Sequence, residues 1–303
     1  MKILAFGDIH CRQEAPRWRT DNYSETHFNK MKYCFDLAQR NGCSIVAMPG
    51  DIFHSPRASD DTKRRLQSLL KEYINITVLG IFGQHDVHHY RADLNNTPLG
   101  VVESSGLIEV LREPFRNGIV DFYGASWNEP IPEILNKNAF NVLLIHTMII
   151  KDDKLYHEQK NYVTARNMLA KNSFGLIISG DNHGCFASEY NGKTLLNMGS
   201  LCRMTTAQLG HIPTCAIYDT DTKTYELFEV PIEPASSVFN LEEVLKNKDK
   251  KETSEQIKEY IDILSSDSGA KEFSFVDNLN NFILKNEIRQ SVQDIIKSTL
   301  ETK

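Results

Sequence analysis

The fold class this chain predicts is α/β: a two-sheet β-sandwich flanked by helices, with a small C-terminal helical appendage. Three observations carry that prediction. Short apolar runs of strand length alternate with helical stripes through roughly residues 1–82, and the later segments read as hairpins. Five of the apolar runs lead into an Asp- or His-bearing string. These are GDIH (Gly7 to His10), GDIFH (Gly50 to His54), GQHD (Gly83 to Asp86), a lone His146 after NVLLI, and GDNH (Gly180 to His183). Loops at strand ends of an α/β fold gather ligands into one crevice.

The elements follow in order. KILAF gives a strand at 2–7, which leads into a loop at 11–26 rich in arginine and aromatic residues. Phe28, Met31, Phe35, Leu37 and Ala38 recur at helical spacing and predict a helix over 27–41. A strand at 44–48 ends at Pro49-Gly50. A helix over 59–73 starts from Ser59 or Asp60 as cap and turns Leu66, Leu69 and Leu70 inward. A strand at 76–82 ends at GQHD, and shorter strands are expected near 107–111, 119–124, 141–146 and 175–179. ASEYNGKTLLNMG and CAIYDTDTKTYELFEV read as hairpins, with Asn191-Gly192 and 219–223 as turns. Composition shifts after Pro234, so 1–234 is read as the main domain and 235–303 as a short helical region. Within the latter, helices are expected at 253–265 and 276–300, either packed on the main domain or presented to a partner.

Composition narrows the class. Apolar residues make up 41 %, enough for a sizeable core, and no run approaches the 18 apolar residues of a membrane span. MKILAFGDIH reads as a strand entering a ligand string rather than a signal peptide. The six cysteines are scattered without a CxxC pair, so a cytoplasmic chain with reduced thiols is expected. A net charge of −6 argues against nucleic-acid binding by bulk electrostatics. The first 100 residues are nonetheless slightly positive, which leaves room for a basic rim beside an acidic centre.

Aspartate, histidine and a side-chain amide arriving from five strand ends predict a two-metal site. Asp8 and His10 alternate beyond one strand and can bind one ion, with His183 completing its shell. Asp51 is placed to bridge to a second ion, held also by Gln84, His146 and Asp181. Imidazole and carboxylate ligands suit Mn²⁺, Fe²⁺, Zn²⁺ and similar ions.

The order of these strings resembles the calcineurin-like metallophosphoesterase superfamily, whose pattern is DxH, GDxxx, GNH(D/E), a lone H, and GHxH. The resemblance covers residues 1–200, and GDIFHSP and GSLCRMT (199–205) bring it nearest to SbcD-type DNA repair nucleases. It implies phosphodiester hydrolysis on DNA, with exonuclease and endonuclease activity, by the nuclease subunit of an SbcCD-like recombination and repair complex. It also implies two divalent ions, Mn²⁺ foremost, with Mg²⁺, Fe²⁺ or Zn²⁺ as alternatives. Under it, His85 would protonate the leaving oxygen, Asp86 would orient His85 unless it is a loop cap, and His54 would handle the scissile phosphate. Arg12, Arg17, Arg19, Arg57 and Arg203 are the candidate DNA contacts. The implied partners are DNA and an SMC-like ATPase of SbcC type, with a homodimer as a further expectation and no membrane.

Two residues depart from that pattern: Gln84 stands where the family has Asn, and Asp181 where it has His. The pair is either retuned towards hard ions or weakened. Two other functions stay open: a phosphodiesterase on small molecules or RNA, and a non-catalytic assembly subunit.

Overall fold

The computed structural model describes residues 1–87, 96–151 and 160–243. The first strands are β1 (Lys2–Ala5), β2 (Ile45–Met48), β3 (Thr77–Gly80) and β4 (Glu109–Val110), joined through helices α1 (Tyr23–Arg40), α2 (Asp60–Glu72) and α3 (Pro98–Glu103). β5 (Phe115–Asn117), β6 (Val120–Ala125), β7 (Phe140–His146), β8 (Ile149–Ile150) and β9 (Val163–Thr164) precede α4 (Ala165–Lys171). Then come β10 (Leu176–Gly180), β11 (Phe186–Tyr190), β12 (Lys193–Asn197), β13 (Thr214–Asp219), β14 (Thr224–Glu229) and the short α5 (Ala235–Val238).

Two six-stranded sheets result, in the orders β14-β13-β1-β2-β3-β4 and β11-β12-β10-β7-β6-β5. Each has a parallel centre: β1, β2, β3 and β4 in one, and β12, β10, β7 and β6 in the other. Antiparallel strands finish three of the four edges, at β14, β11 and β5, and the parallel β4 is the fourth. β8 and β9 pair separately.

Period-two alternation explains why the strands read as unbroken apolar runs. Ile3, Ala5, Ile45, Ala47, Leu79 and Ile81 meet Phe122, Val142, Leu144, Leu176, Ile178 and Leu196 between the sheets. Leu4, Val46, Met48 and Val78 point the other way, onto Phe28, Met31 and Phe35 of α1 and Leu66, Leu69 and Leu70 of α2. On the second sheet, Leu143, Ile145, Ile177 and Leu195 face Met168 and Leu169 of α4. Strands buried on both faces carry apolar residues at every position. The four layers are thus helix, sheet, sheet, helix.

Most boundaries fall within two residues of expectation. α1 begins earlier, at Tyr23, because Asn22 caps it by accepting from the Glu25 N–H at 3.3 Å. The Asn191-Gly192 turn has both residues at positive φ, 50° and 71°, which matches the twist of a two-residue hairpin. α3, α4 and the β8–β9 pair were not expected from the sequence.

The chain divides into two units, Met1–Asn240 and Leu241–Lys303. Residues 235–240 go with the first unit, where the Asn240 N–H donates to the Trp18 carbonyl at 3.0 Å. The helices expected at 253–265 and 276–300 lie outside the described residues. Among the described residues, all six cysteines are free and no helix is long and apolar enough to cross a membrane.

Candidate metal centre

The five strings converge at the carboxyl ends of β1, β2, β3, β7 and β10. Backbone geometry holds them there. The loop after β1 is laced to the loop after β2: His10 N–H donates to the Asp51 carbonyl at 2.9 Å and Cys11 N–H to the Ile52 carbonyl at 2.8 Å. Asp8, His10, Asp51 and Asp181 all lie in the left-handed region, at φ 41°, 50°, 47° and 82°. Such residues cost of order 1–3 kcal/mol each and persist where surrounding contacts enforce them, often at active sites. Gly83 must lack a side chain, because a Cβ there would collide with Asp51 Oδ1.

Asp51 is central. Its Oδ1 accepts from the His85 N–H at 2.8 Å. Its Oδ2 has no hydrogen-bond partner but faces His10 Nε2 at 3.6 Å, His146 Nε2 at 3.6 Å and His85 Nε2 at 4.0 Å. Asp8, His10 and His183 form one cluster, and Asp8, Asp51 and His146 another. His146 Nδ1 donates to the Pro49 carbonyl at 2.7 Å, which leaves Nε2 as the atom facing the acids. His10 Nε2 and His183 Nε2 stand 3.2 Å apart, aimed at the same region.

Gln84 and Asp181 touch each other. Gln84 Nε2 donates to Asp181 Oδ1 at 3.0 Å, so the buried Oε1 is the atom left without a partner. Asp8 Oδ2, Asp51 Oδ2 and His146 Nε2 are likewise buried and unpartnered. These oxygens converge with only His146 Nε2 among them able to offer a proton, and a divalent cation would satisfy them together. The residues present therefore fit divalent ions, and all seven predicted ligands lie in this one region.

Electrostatics agree. Burial, and then the charge on Asp51, push Asp8 up to about 7 even though His146 opposes the shift. Burial holds His10 well below the ordinary imidazole range and lowers His183 as well. Burial would drive Asp51 up and His146 down, but their mutual attraction wins: Asp51 falls to about 2 and His146 rises to about 10. A site this crowded with buried acids is stabilised by positive charge.

Three predicted roles are corrected. Asp86 does not orient His85. Its carboxylate accepts the backbone N–H groups of Phe53 at 2.8 Å, Gly83 at 2.9 Å and Ile52 at 3.3 Å, so it is a buried cap that ties the GDIFH and GQHD loops together. The partner of His85 Nδ1 is instead the His54 carbonyl, at 3.0 Å. Arg19 is buried in a two-point ion pair with Asp21, at 2.7 and 2.6 Å, and donates to the Arg203 carbonyl. Arg203 is buried too, with its guanidinium on the Leu209 and Glu233 carbonyls. Neither guanidinium is open to a phosphate. Arg17 is exposed over the Trp18 ring, while Arg12 and Arg57 lie beside His54.

Sequence reading missed Asn197 at the end of β12. Its Nδ2 donates to the Asn182 and Gly184 carbonyls, both at 2.7 Å, and its Oδ1 accepts from Ser179. Ser200 N–H donates to the His183 carbonyl at 3.1 Å. The NMGS stretch thus positions the loop that carries His183.

A fold and centre of this kind define a metal-dependent phosphoester hydrolase. The family model of the calcineurin-like phosphoesterase superfamily domain matches residues 1–223, and the chain belongs to that superfamily. Among solved structures, a novel archaeal phosphodiesterase is similar at 16% identity, over 76% of this chain and 99% of that one, with a TM-score of 0.41. A protein of Thermus thermophilus is similar at 14% identity over the same shares, with a TM-score of 0.47. No curated protein matches the chain.

Proposed function

We propose that the chain hydrolyses phosphodiester bonds in DNA, as the nuclease subunit of an SbcCD-like assembly. The observation that carries the hydrolytic part of this reading is His85. Its side chain is 40% exposed at the edge of the buried acids, with Nε2 4.0 Å from Asp51 Oδ2. A carbonyl accepts from Nδ1, so Nδ1 carries a proton and Nε2 is the atom left to exchange one with substrate. His54 stacks on the His85 ring, with centroids 5.3 Å apart and planes 16° apart, and restricts its swing.

Asp8, His10, Asp51 and His183 would hold one divalent ion, and Asp51, Gln84, His146 and Asp181 the other. Bound there, such ions supply a water of lowered pKa and neutralise charge on the phosphate oxygens. In its imidazolium form, with Nδ1 still on the His54 carbonyl, His85 would give the Nε2 proton to the leaving oxygen and become neutral, while Asp51 Oδ1 keeps the His85 backbone in register. The DNA substrate and the ATPase partner are supported by the GDIFHSP and GSLCRMT resemblance rather than by the fold.

With Mn²⁺, the protein should cleave linear single- or double-stranded DNA as well as bis(p-nitrophenyl) phosphate. His85→Gln should keep its metal content and lose about 10²–10⁴-fold in kcat. Turnover of the small ester alone would replace the nuclease reading with a small-molecule phosphodiesterase. Loss of metal along with rate would make His85 a ligand.

A further inference from the structure

A second polar pocket opens directly beside the centre. It has a volume of about 310 Å³ and is lined by Arg12, Arg57, His54, Ser55, Thr62 and Glu14, among others. That volume is at the lower end of the range for small-ligand sites. His54 is the shared wall: its ring lies 5.6 Å from that of His10 and 5.3 Å from that of His85. The His54 ring thus separates the pocket from the His10 and His85 rings of the centre.

The charge of the pocket is unspent. Among the described residues the arginine ion pairs belong to Arg19, Arg64, Arg65 and Arg112, so Arg12 and Arg57 are in none. Arg12 Nε is buried without a hydrogen-bond partner, and its guanidinium lies 5.4 Å from the Tyr23 ring centroid, which holds it in place. Arg57 is exposed at the mouth. Ser55 and Thr62 add hydroxyl groups. Glu14 is the opposing charge, one carboxylate against two guanidinium groups. Guanidinium forks match phosphate oxygens geometrically, and hydrogen bonds with both partners charged are the strong kind.

We propose that this pocket is a phosphate subsite: it binds the phosphate adjacent to the scissile one in an oligonucleotide. The inference rests on the nucleic-acid reading and sharpens it. The preferred substrate is a diester flanked by a second phosphate, and Arg12 and Arg57 read that phosphate.

Three dinucleotides test it, assayed with Mn²⁺ beside bis(p-nitrophenyl) phosphate: one without a terminal phosphate, one with a 5′-phosphate and one with a 3′-phosphate. One phosphorylated form should show a KM at least about tenfold below the unphosphorylated form, the size of one charged hydrogen bond. Arg57→Ala and Arg12→Ala should erase that difference, and Glu14→Gln should widen it. Arg12→Ala disturbs packing on Tyr23, so the exposed Arg57→Ala is the deciding variant. Equal KM for all three dinucleotides, or a preference that survives Arg57→Ala, would overturn the subsite and leave the nuclease reading standing. Turnover of bis(p-nitrophenyl) phosphate with no dinucleotide cleaved would instead remove the nucleic-acid reading, and the subsite with it.

Discussion

Gln84 uses its amide nitrogen on Asp181 Oδ1, and that bond leaves the buried Oε1 without a partner. Read in sequence, Gln84 and Asp181 are two separate departures from a family pattern. In space they are partners: the longer amide of Gln84 reaches the shorter carboxylate of Asp181. With Asp8 and Asp51, Asp181 brings three carboxylates to the centre, which favours hard ions. Asp181→His should therefore shift preference towards Zn²⁺. Thermal-midpoint shifts with saturating Mn²⁺ and Zn²⁺, measured on both proteins, check this. The variant should gain more from Zn²⁺ relative to Mn²⁺ than the native chain does, and an unchanged order and size of shifts would contradict it.

Strand ends decide which residues meet, and glycines decide how closely. The loop after β3 approaches the loop after β2 until Gly83 packs against Asp51, with the Asp86 carboxylate bridging the backbones. Gly83→Ala should push Asp51 off its place, so Mn²⁺ affinity should fall at least tenfold by calorimetric titration while far-ultraviolet circular dichroism stays native. Native affinity in that variant would show that the approach is not needed. The main strands were legible because burial on both faces makes them continuous apolar runs, and the ligands were legible because each follows such a run. The short helices were not, since six or seven residues give no periodicity. Thr97 followed by Pro98 was nonetheless a readable start for α3. Asn197, Arg19 and Arg203 were opaque for another reason. Their roles are hydrogen bonds to distant carbonyls, and residue type alone does not distinguish these from solvent-facing uses.

The sandwich as a whole buries ionisable groups, and that burial links stability to pH. Asp8 and Asp86 titrate at about 7 in the fold against 3.8 for an ordinary Asp, with burial as the main cause. Between those values the folded state binds more protons than the unfolded one, so stability falls as pH rises. His146, raised from 6.5 to about 10, contributes stability in full below 6.5 and loses it as pH climbs to 10. Asp51, lowered to about 2, contributes above 3.8 and so does not oppose this trend at neutral pH. His10, His27, His54, His183 and His211, all lowered by burial, pull the other way below 6.5, so in chelator the melting midpoint should fall from about pH 7 to 9. Saturating Mn²⁺ should flatten the fall, because Asp8 and His146 are then held deprotonated by the ion. A midpoint in chelator that is level or rising between about pH 7 and 9 would contradict this balance.

Under the proposed function, Asp51 would serve two ions in one hydrolytic centre. Mn²⁺ stoichiometry after equilibrium dialysis, measured on the native chain and on Asp51→Asn, tests it most directly. Two ions per native chain are expected, and in the variant one or none, with loss of ester hydrolysis and retention of the fold. Two ions per chain and native turnover in Asp51→Asn would contradict it.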